Sequence, residues 1–179
     1  IIFGKNLDWP VGEGLMMVNR KGEQKKSLPQ TGKESLRWIA DYGSVTFNMF
    51  GKEFPLGGMN EAGLVVEELS YTPSKYPNDS LIYSINELQW IQYQLDKHKS
   101  VEEVLNNLQW LQINPLIVKV HYMVADASGH VAVIEFLEGK LHVFTGDDLP
   151  VPVLSNNKYQ NTLSYLRMYK GFGGDMEIR

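Results

Sequence analysis

Cysteine is absent from the 179 residues of this sequence. Without a thiol, the residues given contain no disulfide, no thiolate metal ligand and no cysteine nucleophile. Runs of like charge are also missing, because 17 lysines and arginines are interspersed with 21 acidic residues. This balance disfavours nucleic acid and anionic membrane surfaces as partners. Apolar runs such as 131–136 are much shorter than the ~20 residues of a membrane span, and no basic-then-apolar leader is seen.

The residues that are present are typical of a single globular unit. Apolar residues make up 43% and aromatic residues 11% of the sequence, which is enough for one sizeable core. No internal repeat, low-complexity tract or linker interrupts it, so we predict one domain over residues 1–179. Ile1, Ile2 and Phe3 resemble the middle of a strand, and no closing signal precedes Arg179. We therefore expect the N-terminal part of a longer domain, incomplete at both ends.

Hydrophobic periodicity and turn residues predict an α+β fold. Two S-x-x-E sequences, Ser84 with Glu87 and Ser100 with Glu103, predict helix starts because each pair can satisfy free backbone amides at a helix end. A third helix is predicted over 159–170. The predicted strands are 1–4, 15–18, 36–40, 45–50, 64–69, 116–125, 130–137 and 140–144. Strands, then helices, then strands favour stacked α and β layers.

The four histidines raise the question of a metal site. The tight turns that join the last three predicted strands place His121 opposite Ile134 and His142 opposite Glu135, with His130 near a turn. In this register the three histidines do not converge, and no H-x-x-x-H spacing is present. We therefore expect no metal and no other cofactor, and interpret the histidines as strand residues.

Three acidic residues were considered as catalytic groups. Glu67 and Glu68 are adjacent in a predicted strand and should point to opposite faces, which disfavours a carboxylate pair of the glycosidase type. Asp8 follows a predicted strand and precedes the bulky Trp9. A carboxylate in such a place can be partly desolvated and still reach a reacting group, or it can cap the turn.

Four segments, taken in order, resemble the choloylglycine hydrolase and penicillin V acylase family. They are Gly4–Trp9 (GKNLDW), Gly58–Leu64 (GMNEAGL), Val124–Gly129 (VADASG) leading into Ile134 and Glu135, and Val153–Asn156 (VLSN). Each segment alone is a weak signal, but their order and approximate spacing extend over most of the chain. The first two are the most diagnostic.

The resemblance implies an αββα sandwich of two stacked antiparallel sheets, the fold of N-terminal-nucleophile (Ntn) hydrolases. It also implies a mature N-terminal cysteine, which we expect upstream of Ile1. In this chemistry the thiol attacks a linear amide carbonyl, and the free α-amino group of the same residue, with a reference pKa near ~8, acts as the base. Donors placed in advance stabilise the tetrahedral oxyanion, and water then releases the acyl group.

The resemblance also assigns individual residues. Asp8 matches the motif aspartate expected to hold the nucleophile's amine, and Asn156 matches the active-site asparagine. Lys5 stands where the family usually has arginine, so it keeps a positive charge but loses the bidentate fork. Ser70 stands where bile-salt hydrolases have asparagine and penicillin acylases have tyrosine, a position that contributes to the oxyanion hole.

Aromatic residues next to these motifs are candidates for a substrate pocket. Trp9, Tyr71 and Tyr76 could line an apolar acyl site, with core or rim packing as the alternative. The expected partner is a small-molecule amide such as a bile-salt conjugate, penicillin V or an N-acyl amino acid, and a homo-oligomer is left open. The cellular location is also left open between the cytoplasm and, with a signal peptide before the cysteine, the periplasm or exterior.

Three interpretations of function follow. In the first, the intact parent is a linear-amide C–N hydrolase, and this chain alone is inactive because the nucleophile is missing. In the second, the parent is a non-catalytic, ligand-binding relative, an interpretation motivated by Lys5 and Ser70. In the third, the chain is one subunit of a cleaved enzyme.

Overall fold

The structure is a computed structural model that describes residues 2–8, 12–30, 33–77 and 83–177. The strands are β1 (Leu15–Asn19), β2 (Gln24–Lys26), β3 (Glu34–Ser35), β4 (Arg37–Ile39), β5 (Ser44–Asn48), β6 (Pro55–Asn60), β7 (Val65–Ser70), β8 (Tyr83–Ile85), β9 (Gln112–Ile113), β10 (Val120–Ala125), β11 (Val131–Leu137) and β12 (Lys140–Thr145). The helices are α1 (Glu87–Lys97), α2 (Val101–Asn107) and α3 (Tyr159–Leu166). The predicted α+β class is confirmed.

The largest sheet in the described part of the chain has seven strands in the order β1-β5-β6-β7-β10-β11-β12. Every neighbouring pair in it is antiparallel. A β2-β4 pair and a short parallel β3-β8-β9 sheet lie outside it. No helix in these ranges is long and apolar enough to cross a membrane.

The two faces of the large sheet have different surroundings. One face packs on α1 and α2 and forms the main core, where Trp90 lies against Tyr122 with ring centroids 4.4 Å apart. On the opposite face, β10 and β11 are covered by α3 and the segment before it, through Met123 and Tyr159. The same face of β1, β5 and β6 is open, and its Phe47 is 57% exposed.

The helix starts differ partly from those predicted. Ser100 caps α2 as expected, because its hydroxyl accepts the Glu103 amide. The prediction for α1 was wrong by two residues, since Ser84 lies in β8 and Asn86 is the N-cap. The Asn86 side chain satisfies two free amides of the first turn, and the Glu87 carboxylate instead accepts the amides of 116–118.

The ends of other elements also differ from the prediction. Residues 2–4, predicted to be in a strand, have no regular structure, and Ile1 lies outside the described ranges. Residues 116–118, predicted to begin a strand, bind Glu87, and β10 starts at Val120. The third helix ends at Leu166 and is shorter than predicted.

The register between β10 and β11 corrects the predicted one by one residue. Ala125 pairs with Val131, because Asp126 accepts the amides of Ser128 and His130 and so lengthens the turn. His121 therefore lies opposite Glu135 and not Ile134. His142 lies opposite Glu135 as predicted, so two histidine positions flank one buried carboxylate.

Candidate active site

Lys5 is held by three oxygen atoms at the end of the β6–β7 pairing. Its Nζ donates to the carbonyl oxygen of Leu56 at 2.9 Å. It also lies 3.2 Å from Glu67 Oε2 and 3.4 Å from Glu68 Oε1. The β6–β7 register ends at Gly57 opposite Glu67, so the ammonium bonds a strand carbonyl just beyond the last paired residues. Two carboxyl groups therefore already lie next to the Lys5 side chain.

Glu67 occupies a space that exists because residue 57 has no side chain. A Cβ atom on Gly57 would stand 1.7 Å from Glu67 Oε2. Burial raises the pKa of Glu67 to about 7, and the Lys5 charge opposes that rise without cancelling it. Glu67 is therefore a carboxyl group that changes its charge near neutral pH.

Glu68 reaches the same ammonium although it follows Glu67 in the strand. Burial raises its pKa as well, and again Lys5 acts in the opposite direction. Glu67 and Glu68 are adjacent strand residues, as predicted, and both nonetheless reach the Lys5 ammonium. Their backbones alternate, but a long lysine side chain at the end of the β6–β7 pairing lies within reach of both.

Ser70 and Asn156, both assigned to the site by the same family resemblance, are brought into direct contact. The Asn156 side-chain Nδ2 donates to the Ser70 carbonyl oxygen at 2.9 Å across 86 residues of sequence. Asn156 is otherwise exposed. An asparagine amide has two N–H donors, so this bond orients the group and leaves a second donor for a substrate oxygen.

A buried pair not anticipated from the sequence lies beside this contact. His121 Nδ1 and Glu135 Oε1 are 3.0 Å apart, and both side chains are fully buried. The same Glu135 oxygen accepts the backbone amide of Tyr159 at 2.9 Å. The correct strand register would have revealed the pair, because it places the two residues opposite each other.

The remaining predicted residues are placed as follows. Asp8 is exposed and makes no hydrogen bond or ion pair with the described residues. Trp9 lies outside the described ranges. Tyr71 is buried, and its ring stacks on that of His121 with centroids 5.1 Å apart. Tyr76 donates to the Val120 carbonyl oxygen at 3.0 Å and stacks on Phe136.

An open cavity of about 1230 Å³ borders Lys5 and Glu67. Its wall is largely the uncovered apolar face of the sheet, including Met16, Phe47 and Met59. Across the described part of the chain, no three His, Cys, Asp or Glu side chains are grouped so that they could hold a metal ion. The chemistry that this site offers is therefore that of amide donors, carboxylates and one ammonium.

Comparison with known proteins finds a matching family and a sequence relative. A family model described as linear amide C-N hydrolases, choloylglycine hydrolase family, matches residues 1–176. Penicillin V acylase from Pectobacterium atrosepticum is 28% identical in a match 155 residues long that covers 78% of this chain and 41% of that protein.

Two solved structures are similar as well. Penicillin V acylase from Agrobacterium tumefaciens has a TM-score of 0.71 at 27% identity, covering 86% of this chain and 47% of that one. A variant of conjugated bile acid hydrolase from Clostridium perfringens has a TM-score of 0.69 at 22% identity, covering 88% and 50%. The predicted sandwich fold is confirmed by these neighbours, and the chain spans half or less of the length of each.

Proposed function

The chain belongs to the choloylglycine hydrolase family of linear amide C–N hydrolases, and from this membership we propose that the intact protein hydrolyses a linear, non-peptide amide with an N-terminal cysteine. That cysteine would precede Ile1. The observation that carries the proposal is the Asn156–Ser70 contact, which joins two positions that the family resemblance assigns to the site, 86 residues apart. Residues 1–179 form the N-terminal part of the catalytic domain in this proposal.

The proposed reaction has two steps. The α-amino group takes the thiol proton, and the sulfur attacks the amide carbonyl to give a tetrahedral oxyanion. The second N–H of Asn156 donates to that oxyanion, and the Ser70 position forms the adjacent wall. The C–N bond then breaks, the leaving amine takes the proton, and water attacks the thioester to release the acid and regenerate the thiol.

Asp8 and Lys5 have different parts in this proposal. Asp8 has no partner among the described residues, so its carboxylate is free to hold the cysteine's α-ammonium group. Lys5 contributes a weaker field to a nearby thiolate than an isolated cation would, because Glu67 and Glu68 lie within 3.4 Å of it. Its main effect is therefore to fix the end of the β6–β7 pairing.

The proposed substrate combines an apolar acyl group with a small polar amine. The relatives are named for penicillin V and conjugated bile acids, and N-acyl amino acids share the same linear amide. The apolar wall of the cavity supports an apolar acyl group. Trp9 and Tyr71 remain the proposed contacts of this group; the Tyr71 ring is largely buried and stacks on His121.

The test uses the full-length protein with its native N-terminus, assayed on penicillin V, a bile-salt conjugate and an N-acyl amino acid. We expect hydrolysis of at least one, and Asn156→Ala to lower its kcat by about 10²–10³-fold through loss of an oxyanion donor. Asn106→Ala, an exposed change on α2, serves as the matched control and should leave kcat unchanged. Failure of all three substrates, or full activity of Asn156→Ala, would refute the proposal.

The compensated charge of Lys5 favours a second candidate, a ligand-binding relative without catalysis. A third is a subunit of a cleaved enzyme. N-terminal sequencing and intact mass of the natural protein distinguish them. A mature cysteine supports the hydrolase, another first residue supports the binding protein, and two chains support the cleaved enzyme.

A further inference from the structure

A closed circuit of contacts connects the two oxyanion-hole positions through the interior. Asn156 donates to the Ser70 carbonyl oxygen, and Ser70 is followed by Tyr71, whose ring stacks on His121. His121 bonds Glu135, and Glu135 bonds the amide of Tyr159, which begins the helix that follows Asn156. Each contact in the circuit therefore restrains the position of the next.

Glu135 acts as the cap of α3. The first amides of a helix have no partner within the helix, and Lys158, the N-cap residue, supplies no side-chain acceptor. Glu135 supplies it from β11, at 2.9 Å from the Tyr159 nitrogen. A carboxylate at this end is also favoured by the helix dipole. The start of α3 is thereby fixed to the sheet.

The segment that carries Asn156 is fixed to α3 in turn. The Ser155 hydroxyl lies 2.9 Å from the Thr162 hydroxyl, one turn into the helix. The Tyr159 hydroxyl donates to the Val151 carbonyl oxygen at 2.9 Å and closes the loop before the helix. Motion of the helix start would therefore move Asn156 with it.

His121 restrains the other side of the circuit. It lies opposite Leu69 in β7 and opposite Glu135 in β11, so it sits between the strand that ends at Ser70 and the strand that caps α3. Its ring is nearly parallel to that of Tyr71, at 18° between planes. Loss of this imidazole would remove the ring against which Tyr71 stacks, next to the end of β7.

The buried His121–Glu135 pair leaves polar atoms unsatisfied in the core. His121 Nε2 and Glu135 Oε2 are both buried and have no hydrogen-bond partner among the described residues. A buried ion pair or hydrogen-bonded pair of this kind adds little net stability compared with well-packed apolar residues of the same volume. What it adds is direction, since each bond fixes the angle of the group it holds.

We propose that His121 and Glu135 are positioning residues that hold the Asn156 amide against the Ser70 carbonyl and so aim its second N–H at the oxyanion. This inference rests on the proposed amide hydrolysis. Neither residue touches the substrate. Loss of either shifts the donor by a fraction of an ångström and weakens transition-state binding more than ground-state binding.

The experiment compares Glu135→Ala, Glu135→Gln and His121→Ala in the full-length protein. Glu135→Ala and His121→Ala should lower kcat by roughly 10- to 100-fold while KM changes by less than about 3-fold. Glu135→Gln should restore most of kcat, because its amide oxygen still accepts the Tyr159 N–H. Asp96→Ala is the control, since Asp96 is in another buried ion pair with Lys25 and lies outside this circuit. It should lower Tm and leave kcat of the folded protein unchanged.

Crystal structures of the same variants give a readout independent of catalysis. The Asn156 Nδ2 to Ser70 oxygen distance should lengthen beyond hydrogen-bond range in the alanine variants and stay near 2.9 Å in Glu135→Gln. An unchanged distance in both alanine variants, or a kcat loss in Asp96→Ala equal to theirs, would overturn the positioning role. If Glu135→Ala does not fold, His121→Ala and Glu135→Gln decide by the same distance. If the wild-type protein hydrolyses no amide, the function fails and the structural comparison still decides the positioning role.

Discussion

At the scale of single residues, the main electrostatic imbalance is at Lys5, where one ammonium lies next to two carboxyl groups. Lys5 compensates one negative charge, but Glu67 and Glu68 together carry two when both are ionised. Burial makes the second negative charge costly, and the raised pKa of both groups expresses that cost. The form in which the Glu67 and Glu68 pair keeps one proton is therefore favoured. This form is lost as the pH rises through about 7.

Glu67→Gln should change how stability depends on pH. The folded-state pKa of Glu67, about 7, lies above its ordinary value of 4.5, so the folded state holds the proton longer. The stability that this proton binding gives the folded state is fully present below the ordinary pKa of 4.5 and is lost as the pH rises through about 7. The wild-type free energy of unfolding should thus fall by about 2 kcal/mol from about pH 5 to about pH 8, relative to Glu67→Gln.

Urea unfolding of the full-length protein at several pH values measures this difference. Glu102→Gln, which removes an exposed carboxylate on α2, is the matched control and should follow the wild-type curve. Parallel curves for wild type and Glu67→Gln would show that Glu67 ionises freely in the folded protein, contrary to the prediction.

Site residues that lie in or beside short sequence motifs could be predicted from the sequence, whereas residues joined only by tertiary contacts could not. Asn156 and Ser70 sit in or beside short motifs, and their contact follows once the strands are in place. His121 and Glu135 are joined only through the strand register, and the expected turn was one residue too short. The alternation of side chains along a strand also cannot reveal that a distant residue, Lys5, contacts both Glu67 and Glu68, which point to opposite faces.

At the scale of elements, β6 depends on two glycines where other strands carry side chains. A Cβ on Gly57 would meet the Glu67 carboxylate, whereas a Cβ on Gly58 would stand 2.4 Å from the Val45 carbonyl oxygen of β5. The first obstacle is the end of a side chain, and the second is the backbone of a neighbouring strand. The two positions should therefore respond differently to the same substitution.

Gly57→Ala should cost about 1–3 kcal/mol of stability, and Gly58→Ala at least as much, because overpacking forces neighbours to move. In a Glu67→Ala background, the cost of Gly57→Ala should fall below about 0.5 kcal/mol while that of Gly58→Ala is unchanged. Thermal or urea unfolding of the double-mutant cycle measures both terms. Equal costs of Gly57→Ala in the two backgrounds would mean that Glu67 does not fill the space above Gly57.

The same glycines explain why β6 was not predicted as a strand. Gly57 and Gly58 are typical of a turn, so no strand was predicted between residues 50 and 64. The structure confines the turn to the residues after Asn60. By contrast α2 was predicted well, because its capping serine and its apolar stripe give the same local answer.

At the scale of the whole molecule, the sheet has one unfinished face. Met16, Val18, Val45, Phe47 and Met59 lie on neighbouring strands in register and are 38–70% exposed. A contiguous apolar surface of this kind normally marks an interface. The layered α+β class was predictable from the order of elements, but nothing in a single sheet's pattern says what covers its second face.

Substitution on this face should separate the isolated chain from the intact protein. Met16→Ser with Phe47→Ser should shift residues 1–179, expressed alone, from self-associated species toward monomer in sedimentation velocity. In the full-length protein the same pair should lower the free energy of unfolding by at least about 2 kcal/mol, because the proposed second layer would bury both side chains. Trp110→Ser changes a comparably exposed residue outside the sheet. It should leave the sedimentation profile of the isolated chain unchanged and change the free energy of unfolding of the full-length protein by less than about 0.5 kcal/mol. No effect in the full-length protein would contradict the proposal that this chain is part of a longer domain.

The open face also has a consequence for synthesis. In the penicillin V acylase from Agrobacterium tumefaciens the matched part is 47% of the chain. Under the proposal that residues 1–179 are the N-terminal part of a longer domain, a protein of that length would have about as many residues still to be translated. At about 5–20 residues per second, the open face of β1, β5 and β6 would stay exposed for on the order of 10 to 40 seconds while those residues are translated. During that interval the exposed apolar side chains would make the nascent chain prone to association with other chains.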